Sequence, residues 1–335
     1  MDKRKYILSL DGGGIRGIIP LVALVKLEST THKLSRDIFS FVAGTSTGAV
    51  IAGGIAAGIP AKKILDLYIQ QSRTIFRTTP LSILQRIFRG FLYSTKKLHS
   101  VIKEELGPFS GWTINDSPID LLICSKRVVD GMPFYFVKNN PANSCHCGAT
   151  ILAEAITASA AAPTYFYPWK LKIEGKEASF TDGGVGVTGN PVNQACVEAF
   201  FYHTDYDPKH TTIISLGTGR FTQTYDPRWL PEWIGWILRE LLSSPGEQQT
   251  ELVQRHFPQT HFYRLDPDLK NIDPTLTSGI ASDDIGKIDK LLEYGERFAS
   301  MIEWDAIIEG KDKQFKVTDK NTMWYQYKKP QTILF

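Results

Sequence analysis

The chain has 335 residues, 42% of them hydrophobic and 22% charged, enough apolar content to bury a sizeable core and too much for a disordered chain. Its net charge of +3 is too small to imply nucleic-acid binding, and no basic tract with interleaved aromatics is present. The four cysteines, Cys124, Cys145, Cys147 and Cys196, are too sparse for a secreted disulfide scaffold. Cys145-His146-Cys147 has the look of a metal fragment, but adjacent residues do not readily supply three ligands to one ion. No CxxC or HxxxH elsewhere completes a site, so neither metal nor cofactor is expected.

The N-terminal apolar run is too short for a signal peptide and stops at Asp11. Tyr6 to Leu10 reads as a buried strand, closed by Asp11-Gly12-Gly13-Gly14. A helical pattern follows from Ile18 to Glu28, then a second strand from Ile38 to Ala43 runs into Gly44-Thr45-Ser46-Thr47-Gly48, and a helix is expected over Ala49–Ala57. The uncharged stretch from Ile38 to Ala61 is long enough to cross a bilayer, but five glycines interrupt it and Pro60 ends it. A strand, a turn and a buried helix of small residues account for it better. The expectation is a soluble, cytoplasmic protein with no signal peptide and no transmembrane helix.

From Pro60 to Leu106 the pattern is helical and more polar, as in a helical insertion or cap. Ile119–Cys124 and Met132–Val137 read as strands around the turn Asp130-Gly131. Ala149–Ala160 reads as a helix of small residues, and Leu171–Ile173 pairs with Ala178–Phe180 around Glu174-Gly175, leading into Asp182-Gly183-Gly184. Pro191 suits a helix start, Thr212–Leu216 is a further buried strand, and Trp229–Leu242 and Asp284–Ile302 read as amphipathic helices. Strands alternating with helices imply an α/β fold with a mainly parallel sheet. No linker divides the chain: a core over residues 5–219, with its insertion at about 60–106, and a C-terminal extension over 220–335 are expected to pack as one domain.

Three motifs carry chemistry. Gly44-Thr45-Ser46-Thr47-Gly48 fits G-x-S-x-G between a strand and a helix, where a sharp turn lifts the serine hydroxyl clear and Gly44 and Gly48 relieve the crowding. The following helix N-terminus adds N–H groups and partial positive charge. A glycine-rich turn with an incidental serine would look the same in isolation.

Gly12, Gly13 and Gly14 let several N–H groups converge on an anion, either a phosphate or a transient oxyanion. With Gly17 they also satisfy the dinucleotide fingerprint G-x-G-x-x-G. That rival fits poorly. The acidic residue it needs belongs at the end of the second strand, whereas Asp37 precedes that strand and the strand end carries Ser46. Asp11 would also set a carboxylate beside the pyrophosphate.

Asp182-Gly183-Gly184 alone would pass for a common turn. A serine nucleophile needs a base, and His203, His210, His256 and His261 all follow Asp182, so a Ser…Asp…His order is possible. None of the four sits in a glycine-marked turn. The residues by themselves leave the base open between a histidine and Asp182.

Taken in order, DGGGIRG at Asp11–Gly17, GTSTG at Gly44–Gly48 and DGG at Asp182–Gly184 resemble the patatin-like phospholipases. ITASAAAPTYF from Ile156 to Phe166 and SLGTG from Ser215 to Gly219 extend the likeness, which fades through the C-terminal third. The resemblance implies a three-layer α/β/α sandwich. It implies a Ser46–Asp182 dyad without histidine, an oxyanion loop at Gly12, Gly13 and Gly14, and hydrolysis of acyl esters of phospholipids or other lipids through an acyl-enzyme. Arg16 is expected either to orient that loop or hold a substrate phosphate, or else simply to form a salt bridge. A soluble esterase or acyltransferase would use the same nucleophile.

Two apolar stripes suggest peripheral membrane contact. Ile83, Leu84, Ile87, Phe88, Phe91 and Leu92 share a helical face near Arg86 and Arg89, and Trp229, Trp233 and Trp236 recur at helical spacing. Either stripe would serve equally as core or pocket cover. The sequence carries no signal for an oligomeric state.

Overall fold

The computed structural model describes residues 4–76, 90–140, 146–221, 226–229, 232–233, 246–276, 280–281 and 283–308. Cys145, residues 80–89 of the first apolar stripe and Trp236 of the second lie outside the described residues.

Among the described residues eight strands form one sheet: β1 (Lys5–Leu10), β2 (Phe41–Thr45), β3 (Asp120–Arg127), β4 (Pro133–Val137), β5 (Trp169–Ile173), β6 (Lys176–Asp182), β7 (Thr211–Leu216) and β8 (His261–Leu265). The order is β5-β6-β3-β2-β1-β7-β8, with β4 paired to β3. β3, β2, β1, β7 and β8 are parallel, and β4, β5 and β6 are antiparallel additions at one side. β1, β2 and β7 are buried on nearly every residue, as expected of parallel strands covered on both faces.

The helices of the described residues are α1 (Ile18–Thr31), α2 (Ser35–Ile38), α3 (Thr47–Ala56), α4 (Ala61–Ile75), α5 (Thr95–Leu106), α6 (Leu152–Ala160), α7 (Val192–Val197) and α8 (Ile288–Ser300), with short further helices beyond α7. The β1-α1-β2 and β2-α3-β3 crossovers step along the sheet in one direction, and right-handed connections put α1 and α3 on the same face. α6 packs on α3 and α8 on α1. The return from β6 to β7 carries α7 to the other face, against β1 and β2. The sheet is therefore flanked by helices on both sides.

Local boundaries differ from expectation at two informative places. Ile38 ends the short helix α2, and β2 starts only at Phe41, because Asp37 and Phe39 close backbone hydrogen bonds to Leu34 and Ser35. Pro191 sits just before α7 as its cap residue. The strand β8, which sequence periodicity did not mark, extends the sheet beyond β7, so part of the C-terminal third belongs to the same sheet. Among the described residues no helix is long and apolar enough to cross a membrane.

One feature of the sheet positions the site. β3 pairs with β2 up to Cys124, opposite Thr45. Its next residues, Ser125 and Lys126, pair with β4 on one edge and β6 on the other. β6 therefore enters along the track that β2 vacates, and Asp182, paired with Ser125, arrives at the end of β2, where Ser46 begins the next turn.

Candidate active site

Ser46 joins β2 to α3 with φ 56° and ψ −119°, a left-handed backbone that a side chain rarely adopts. Tight packing around the turn holds it there. A Cβ on Gly44 would lie 2.2 Å from the Gly48 carbonyl oxygen, and one on Gly48 would lie 2.2 Å from that of Leu10. The two flanking glycines thus let the turn close on itself and on β1.

The Ser46 N–H donates to Ser159 Oγ at 2.9 Å, and Ser159 in turn donates to the Cys124 carbonyl at 2.5 Å. Ser159 is fully buried near the end of α6, so this hydroxyl ties the serine turn to β3 through a third element. The same helix end receives the Asp182 N–H on the Ala161 carbonyl at 3.0 Å. Within the segment Ile156–Phe166 a lone serine among small residues gives no local sign of this contact.

Asp182 is 3% exposed. Its carboxylate accepts the Gly184 N–H at 2.7 Å and lies beside Ser46 on the wall of one cavity. Burial pushes its pKa up to about 6, against the lowering effect of the Ser46 hydroxyl and the Gly184 N–H. Thr188 braces the following loop, donating to the Gly183 carbonyl at 2.7 Å and accepting the Thr45 hydroxyl at 2.5 Å.

The glycine loop lies against the serine, with the Cβ position of Gly12 at 3.2 Å from that of Ser46. Gly12 N–H is engaged by the Gly189 carbonyl at 2.9 Å. Among the described residues no acceptor is recorded for the Gly13 or Gly14 N–H. The carbonyls of the loop are held from outside: Thr218 donates to Gly12, and Thr47 and Tyr68 to Gly14. Arg16 donates to the Gly13 and Gly219 carbonyls at 3.4 and 2.9 Å, spanning the loop. Behind it, Arg264 of β8 grips both oxygens of Asp11 and one of Asp266.

Ser46, Asp182, Gly12, Gly13, Gly14 and Arg16 all border one cavity of about 170 Å³. Its wall is apolar, built from Ile64, Ile75 and Phe76 around α4, Leu98 and Ile102 of α5, and Ile156 of α6. The space suits a hydrocarbon segment. The helices expected as an insertion thus form one side of this cavity.

Among the described residues no histidine borders it. His203 lies against Asn140 and Asp120, His210 against Asp207, and His261 begins β8, all three toward the strand ends opposite Ser46. His256 is exposed. Among the described residues no cluster of His, Cys, Asp or Glu has metal-binding geometry.

With this geometry in hand, known proteins are informative. Residues 8–195 match the family model for the patatin-like phospholipases. Patatin-like protein 2 of Arabidopsis thaliana is 29% identical, the match covering 85% of this chain and 79% of that protein. Patatin group M-2 of Solanum tuberosum is 28% identical over 79% of this chain and 76% of its own. A cGAMP-activated phospholipase of Escherichia coli (strain TW11681) is 28% identical, with 67% of this chain matched to 65% of that one. Since the family model covers more than half of the chain, on the very strands, glycine loop and serine turn described above, this protein belongs to the patatin-like phospholipase family, a family of lipid acyl hydrolases.

Proposed function

We propose that the protein cleaves acyl esters of membrane phospholipids in the manner of a phospholipase A, through a covalent acyl-Ser46 intermediate, with Asp182 as the only base. The observation that supports this reading is that Ser46 and the buried Asp182 carboxylate border the same apolar cavity, the Ser46 hydroxyl close enough to favour the charged form of Asp182, with no histidine among the described residues of the wall.

The chemistry follows from the contacts. Ser46 Oγ attacks the ester carbonyl carbon while its proton passes to Asp182. An ordinary carboxylate, with a pKa of about 4, is a weak base; burial that lifts Asp182 to about 6 brings it closer to the working range. The tetrahedral oxyanion receives the N–H groups of Gly13 and Gly14, while Gly12, its own N–H engaged, shapes the loop. The intermediate collapses, the C–O bond to the lipid alcohol breaks, and Asp182 returns the proton to that oxygen. Water then attacks the acyl-Ser46 carbonyl, Asp182 takes its proton and passes it to Ser46 Oγ, and the fatty acid leaves.

The acyl chain is assigned to the cavity between α4, α5 and α6, and Arg16 to bracing the glycine loop through two carbonyls. A fluorophosphonate probe tests the proposal: the adduct is expected on Ser46 alone, and to be lost in Ser46→Ala. Labelling elsewhere, or undiminished labelling of Ser46→Ala, contradicts it.

A further inference from the structure

The turn between β3 and β4 is unusual for a water-facing loop. Val128, Val129 and Met132 are 46%, 91% and 55% exposed, at a place where solvent normally selects polar residues. The turn itself is well ordered by hydrogen bonds: Arg127 N–H donates to the Met132 carbonyl, Met132 N–H to Asp130, and Val128 N–H to Ser179 of β6. The apolar side chains are thus presented by a rigid hairpin.

Its position follows from the register. Ser125 pairs with Asp182, and Val128 lies three residues further along the same strand, about 10 Å beyond the site. Lys126 Nζ donates to the Val185 carbonyl at 3.0 Å, fastening the hairpin to the loop that leads from Asp182 to Gly189 at the cavity wall. Val187 of that loop is itself 47% exposed. The apolar tip therefore stands beyond the end of the sheet that carries Asp182, beside the loop whose Gly184 and Gly189 border the cavity.

Charge decides what it meets. Arg127 pairs with Asp130, and Lys170 with Glu177 on the neighbouring β5–β6 hairpin. Across the two adjacent hairpins Lys126, Arg127, Lys170, Lys172 and Lys176 outnumber Asp130, Glu174 and Glu177, which makes the surround of the apolar tip net cationic. Apolar side chains ringed by lysine match the interfacial zone of a bilayer with anionic headgroups.

We propose that the Val128–Met132 hairpin is the membrane anchor of this protein, inserting Val128, Val129 and Met132 into an anionic lipid surface and bringing the sheet end that carries Ser46 and Asp182 toward it. This rests on the reading of the chain as a lipid hydrolase, and its test is arranged to stand apart from that reading. The probe is co-sedimentation of the full chain with phosphatidylcholine vesicles containing phosphatidylglycerol, comparing wild type with Val128→Ser/Val129→Ser/Met132→Ser. Because all three positions are exposed, the variant is expected to fold, as circular dichroism and thermal unfolding will verify.

Wild type is expected to bind the vesicles, and the variant to bind at least about 30-fold more weakly, a modest share of what three buried apolar side chains contribute. Hydrolysis of vesicular phospholipid should fall with binding, while hydrolysis of a soluble short-chain ester stays within about twofold. Equal binding by wild type and variant, or no binding by wild type, overturns the proposal. So does self-association of wild type that the variant abolishes without any vesicle binding, which would give the tip to a second copy of the chain. Failure of wild type on the soluble ester counts against the hydrolase reading alone, and the sedimentation result still decides the anchor.

Discussion

Arg264 holds Asp11 by both carboxylate oxygens, at 2.9 and 2.6 Å, across 253 positions of chain. The pair is buried, and Arg264 also donates to Asp266 and Ser215. Burial raises the Asp11 pKa to about 6 even though Arg264 pulls it down. Removing the guanidinium would leave a buried carboxyl directly before the glycine loop without its hydrogen-bonded counter-charge, with only the more distant field of Arg16 to offset it. Arg264→Ala is expected to cost roughly 3 kcal/mol of stability, read as a lowered Tm, and to reduce kcat as the loop loses its anchor. Arg264→Lys keeps the charge without the two-pronged geometry and should recover only part of both. Wild-type Tm and kcat in Arg264→Ala would show that the ion pair does not support the loop.

Ser46→Ala and Asp182→Asn should each lower kcat by roughly 10³-fold or more while leaving the unfolding transition close to wild type. His203→Ala, His210→Ala, His256→Ala and His261→Ala should each stay within about threefold of wild type, since none reaches the cavity. A loss of several powers of ten at one histidine would mean that the resting geometry rearranges to admit it.

The pH dependence has a definite sign. Asp182 must be ionised to accept the Ser46 proton, and burial places its pKa at about 6. As pH falls through that value the base is progressively lost, so kcat/KM should drop about tenfold per unit on the acid side and level off above pH 7. The measurement is kcat/KM against a neutral, soluble ester. A profile level from pH 8 down to 5 would contradict the assignment of Asp182 as base.

Ser159→Ala removes the acceptor of the Ser46 N–H and the donor to Cys124. The stability cost should be about 1–2 kcal/mol, as for one buried hydrogen-bonded hydroxyl. If Ser159 positions the nucleophile, kcat and the rate of fluorophosphonate labelling should fall together by about tenfold or more, with KM unchanged. A lower Tm with an unaltered labelling rate would make the hydroxyl merely structural.

The sequence by itself determined the strand-turn-helix succession over the first sixty residues and the three motifs that meet at the cavity. These are local features: Gly44 and Gly48 are required within a few residues of Ser46 because backbone crowds the turn. Alternation of buried strands and helices likewise announces a parallel sheet before any contact is known. The tertiary structure decided the rest. That Asp182 reaches Ser46 depends on β6 taking the edge of β3 left free beyond Cys124, a matter of register that no periodicity records. Ser159, Thr188, Thr218 and Arg264 matter through a few hydrogen bonds between distant segments, and a lone hydroxyl or guanidinium leaves no pattern in its own neighbourhood. The exposed tip at Val128–Met132 reads in sequence as an ordinary hairpin turn. Only its placement beside the loop from Asp182 to Gly189, with its apolar side chains exposed to solvent, sets it apart.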